Sequence, residues 1–152
     1  MAFAYALHVL FAVVWVGGMI FAQLALRPVA VAQLEPPRRI AFLTAVLGRF
    51  FWLVWVAVVV LPLTGFWLIA GYGGMAHLGW HIHLMTGVGI VMVLIYLTLF
   101  LAMFLPLRQA VAASDWAVAG RRLEWARRLL WINLLLGVLV VLTAALGARG
   151  GL

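Results

Sequence analysis

The chain has 152 residues, 69% of them hydrophobic and 9% charged, whereas soluble domains average about 45–50% apolar and about 25% charged residues. No single soluble core of this size could hide that excess, so the composition excludes an ordinary soluble domain and makes the lipid bilayer the principal partner. The net charge of +7 comes from ten arginines against three carboxylates; set between apolar runs, the arginines read as topology signal and headgroup contact and not as a nucleic-acid-binding patch, and the lack of Cys excludes disulfides and thiolate metal sites.

Four apolar stretches follow one another, at about residues 3–26, 51–70, 83–105 and 129–146. Each can cross a hydrocarbon core of about 30 Å, which needs roughly 20 residues as a helix. They predict an all-α fold, an integral membrane four-helix bundle occupying residues 1–152 as a single membrane domain. The first run is read as a span and not as a signal peptide, because no Lys or Arg precedes it and it exceeds a signal core in length. Pro28 and Pro106 are expected to end the first and third helices, and Pro62, beside Thr64 and Gly65, to kink the second. Glu35-Pro36-Pro37 reads as a helix start, and Ser114-Asp115 as the cap of a segment entering the fourth span. Both of these segments are expected to lie along the headgroups. Asn133 is expected to hydrogen-bond between helices.

Arginine placement orients this bundle. Arg27, Arg38, Arg39 and Arg49 flank the first connection, and Arg108, Arg121, Arg122, Arg127 and Arg128 flank the third; only Arg149 lies on the opposite side. The positive-inside rule then places these two connections in the cytoplasm and both termini in the periplasm of a bacterial inner membrane. By this topology all four histidines gather near the outer face, and the three carboxylates lie away from them.

His8 is a titratable side chain among Ala6, Leu7, Val9 and Leu10, so it should face the bundle interior. Its face carries Ala4, Ala12 and Trp15, and the alanines leave room for something flat. His83, at a similar depth on the third span, has Gly87 one turn away. His8 and His83, with Ala12, Trp15 and Gly87 around them, fit axial ligation of a b-type haem by two imidazoles, an arrangement suited to electron transfer. Such a redox protein would be a haem-dependent membrane oxidoreductase and would exchange electrons with a quinone or a periplasmic carrier. A second arrangement leads to copper. If helical order begins early, His77, His81 and Met85 share one face at i, i+4, i+8, with His8 or His83 as further ligands. Imidazole and thioether donors together suit copper, especially Cu(I). A third alternative is a non-catalytic accessory subunit of a larger membrane complex or homo-oligomer. Trp52, Trp67 and Trp80 fit interfacial anchoring.

The segments Leu7-His8-Val9-Leu10 and Val14-Trp15-Val16-Gly17-Gly18 resemble the opening helix of CopD-type (copper resistance protein D) membrane proteins. Gly79-Trp80-His81-Ile82-His83-Leu84 resembles the outer end of their third helix, and Arg128-Leu129-Leu130-Trp131-Ile132-Asn133-Leu134 the start of their last. The Gly-Trp-x-His segment is also similar to that of HemJ-type protoporphyrinogen oxidases, although the lysine that follows in their pattern has no counterpart in a chain without Lys. The first resemblance implies copper handling at the inner membrane. The second implies haem b held by helix histidines, with His8 matching the first-helix histidine and His81 or His83 the third-helix one.

Overall fold

The structure is a computed structural model that describes residues 1–147; Arg149 lies outside the described residues. Four helices make up nearly all of it: α1 (Ala2–Gln33), α2 (Pro36–Gly71), α3 (Trp80–Ala112) and α4 (Trp116–Gly147). All four are long and apolar enough to cross a membrane, and no strand occurs among the described residues. The chain forms a multi-pass membrane bundle of two antiparallel hairpins, α1 against α2 and α3 against α4, with α4 also touching α1 and α2. One end of the bundle carries all four histidines; the other carries the two short connections and nine arginines.

The helices run further than the apolar stretches, for two physical reasons. First, α1 and α3 continue through Pro28 and Pro106, where the sequence predicts their ends. A wider π-helical turn precedes each proline, over Ala22–Leu26 and Leu99–Phe104, and the N–H groups of Arg27 and Leu105 bond to the carbonyls of Ala22 and Phe100, five residues back. The widened turn relieves the clash between a proline ring and the carbonyl four residues before it, so the axis continues. Second, the segment after Glu35 does not form a separate headgroup helix. Ile40, Leu43, Thr44, Leu47, Phe51 and Val54 make one continuous buried stripe at helical spacing, which packs these turns into the bundle as the start of α2. α2 likewise continues through Pro62. The predicted cap of α4 is present: the Val118 amide donates to Asp115 Oδ1 at 3.0 Å.

An aromatic core fills the arginine half of the bundle. Phe51 of α2 meets Phe104 and Tyr96 of α3 edge-on at centroid separations of 4.8 and 5.7 Å, and Trp15 of α1 meets Tyr96 at 6.1 Å. The Tyr96 hydroxyl donates to the Phe51 carbonyl at 2.9 Å, so its burial leaves no unpaired donor. Gly18 and Gly137 let neighbours close in: the Phe50 ring occupies the space a Cβ would take at Gly18, and a Cβ on Gly137 would stand 2.8 Å from Val16 Cγ2. Asn133 is buried, but its Oδ1 meets no partner among the described residues, so the interhelical bond expected from that oxygen is not formed. Trp52, Trp67 and Trp80 are exposed on the outside of the bundle, as anchoring residues are.

Candidate functional site at the histidine end

His8 is half-buried on α1 and turns to α2. Its Nδ1 lies 2.8 Å from Thr64 Oγ1, and its Cε1 would be 3.3 Å from a Cβ placed on Gly65. The two residues meet because the hairpin is antiparallel: His8 is six residues from the start of α1 at Ala2, and Thr64 is seven from the end of α2 at Gly71. Gly65 supplies the close approach, with no Cβ to hold the Cε1 edge of the imidazole away from α2. The Thr64 hydroxyl has one proton, and that proton is committed to the Val60 carbonyl at 2.7 Å, with the Leu61 carbonyl at 3.2 Å. The hydroxyl then accepts from Nδ1–H, and in the neutral ring this assignment leaves Nε2 as the nitrogen with the free lone pair. An imidazole held by one nitrogen with the other bare is oriented as a metal ligand is by its supporting hydrogen bond.

The other histidines are distributed around the same end. His81 is half-buried and its ring packs against Gly147 at the end of α4. Met85, one turn on, continues the inward stripe of α3 that leads to Met92 and Tyr96. His83 is exposed, on the face that also carries exposed Gly87, Ile90 and Leu94. His77 belongs to a separate 3₁₀ turn, Met75–His77, and lies against Gly73. That turn needs its glycines, since Gly73 and Gly74 have φ of +89° and +94°.

The structure thus brings His8 together with Thr64 and Gly65, and keeps His81 and Met85 on one inward face. It does not bring His8 and His83 face to face: the first is held by α2 and the second points outward. Ala12 is half-buried, Gly87 has open space beside it, and Trp15 is part of the aromatic core against Tyr96. The geometry offers no support for a haem between α1 and α3. The helical stripe His77-His81-Met85 is also interrupted, because Leu78 and Gly79 are extended (ψ of 147° and 160°) and Gly79 caps α3, which begins at Trp80. Among the described residues, no three His or carboxylate side chains stand close enough to cage a metal ion. What this end offers is a set of separate soft donors, His8, His81 and Met85 within the bundle and His77 and His83 at its rim. Sequence reasoning missed Thr64 as the partner of His8; equal depth on adjacent antiparallel helices was the signal for it.

A family model described as copper resistance protein D matches residues 44–146, which is most of α2, all of α3 and all but the last residue of α4, with His77, His81, His83 and Thr64 inside the match and His8 before it. No curated protein and no solved structure matches the chain. The match covers about two thirds of the sequence, and the helical architecture agrees with the resemblance seen in its motifs: the chain belongs to the copper resistance protein D (CopD) family.

Proposed function

We propose that this protein handles copper as cargo, taking it as Cu(I) at the histidine end and passing it into the bundle by way of His8. The observation that carries this reading is the hydrogen bond between His8 and Thr64, which orients the ring and, in its neutral Nδ1–H form, leaves Nε2 free to ligate. Membership of the CopD family supports copper as the ion. The donor chemistry supports it too, since imidazole and thioether select copper over magnesium or calcium. Separate donors in place of a closed cage suit an ion that is handed on, and His77, His81, His83 and Met85 would supply the entry side. In this reading the arginine-rich end lies in the cytoplasm of a bacterial inner membrane and the histidine end faces the periplasm.

Two expected outcomes follow. A reporter inserted at Gly74 is active only when exported, whereas one inserted at Ala113 is active in the cytoplasm; the reverse pattern would put the histidines on the wrong side for periplasmic copper. In liposomes loaded with a Cu(I) indicator, the full-length protein admits external Cu(I), and His8→Ala lowers the rate by at least about tenfold, since loss of even a ligand's supporting partner costs about that much. Trp52→Ala, on the exposed surface away from the histidine end, changes the rate far less. Flux equal to that of empty liposomes would refute the reading.

A further inference from the structure

At the opposite end, a cleft of about 290 Å³ lies between the arginine ends of α1, α2 and α4. Three guanidinium-bearing residues from three helices line it: Arg27, Arg39 and Arg127. A single carboxylate, Glu124, stands among them. It ion-pairs with Arg127 and lies 3.7 Å from Arg27, which leaves the lining with a net charge of +2. Arg39 makes no ion pair among the described residues. The wall on the α1 side is the π turn Ala22–Leu26, whose buried Gln23 donates to the Arg127 carbonyl at 3.1 Å and ties α1 to α4 at the floor. π turns inside α-helices are frequent at functional sites. Below the arginines the lining becomes apolar, through Leu43, Leu47 and Leu130.

We infer that this cleft binds an anionic phospholipid, with its phosphate held by Arg39 and Arg27 and an acyl chain descending along Leu43, Leu47 and Leu130. The amphiphilic lining decides for a lipid over a free phosphate. Guanidinium groups suit phosphate because their planar donors bond two oxygens at once, and a soluble anion would gain nothing from the apolar wall beneath them. The location also fits, since the arginines stand where the apolar spans begin. Arginines that act only as topology signals need no shared cavity; these three, far apart in sequence, converge on one.

The test uses full-length protein in detergent, with phosphatidylglycerol and phosphatidylcholine of identical chains counted by native mass spectrometry. Phosphatidylglycerol should be retained over phosphatidylcholine, and Arg27→Gln with Arg39→Gln should lower its retention by roughly tenfold or more, the scale of a lost charge-assisted hydrogen bond. The control pair Arg108→Gln with Arg121→Gln, of equal charge change but outside the cleft, should leave retention unchanged. Arg39→Gln alone breaks no ion pair within the described residues, so it should give a clear loss in a folded protein. Equal retention of the two lipids, or equal loss in the control pair, would overturn the proposal. So would displacement of phosphatidylglycerol by millimolar inorganic phosphate or glycerol phosphate, which would mark the cleft as a site for a soluble anion.

Discussion

Phe51→Ala should destabilise the bundle by about 3–5 kcal/mol, the range for deleting a buried aromatic side chain whose cavity cannot collapse. Phe51 is 1% exposed and packs against Phe50, Tyr96, Phe100 and Phe104, so its removal strips the α2–α3 contact of its centre. The neighbouring Trp52 is 75% exposed, and Trp52→Ala should change stability by less than about 0.5 kcal/mol. Unfolding of both variants in the same detergent gives the comparison; similar losses would mean that the aromatic core is not where the bundle's stability lies. Lipid solvates apolar side chains as well as a protein interior does, so the difference reads packing and not simple hydrophobicity.

The second large effect concerns the residue that supports His8. Thr64→Val keeps the shape of the side chain but removes the oxygen that accepts from His8 Nδ1. Loss of a ligand's supporting hydrogen bond typically lowers metal affinity by about 10–100-fold, and Cu(I) affinity should fall within that range. Thr64→Ser, which restores a hydroxyl, should recover most of it. If valine and serine bind Cu(I) equally, the hydrogen bond serves only to pack α1 on α2. The serine comparison matters because a generally loosened hairpin would not be rescued by a smaller side chain.

Much of this architecture is legible in the residues. Apolar length marks the four spans, the nine arginines mark one end, and Asp115 marks the start of α4, because each of these signals is local. The signals that fail are those that depend on rotation or on a neighbour. His81 and His83 are two residues apart, which is about 200° around a helix, so one must face inward if the other faces out. α3 is apolar on all sides, and its sequence carries no asymmetry that says which. His8 lies near the start of α1, and that position alone pairs it as well with Thr64 on the adjacent helix as with a histidine on another. Pro28 and Pro106 look like stops because the turns ahead of them are taken as ordinary α-helix, and only the observed widening lets the chain continue. The arginine cleft escapes a reading along the chain altogether, since Arg27, Arg39 and Arg127 meet only after three helices have packed.

The claim that copper passes by a bare His8 Nε2 is most directly tested by nitrogen NMR of the full-length protein labelled with ¹⁵N-histidine, in lipid nanodiscs, before and after Cu(I) is added. His8 is expected to be the Nδ1–H tautomer in the absence of copper, with its signals identified by their disappearance in His8→Ala, and Cu(I) is expected to move the Nε2 resonance while Nδ1 keeps its proton. A His8 spectrum that Cu(I) leaves unchanged, or a ring protonated on Nε2 at the outset, would contradict it.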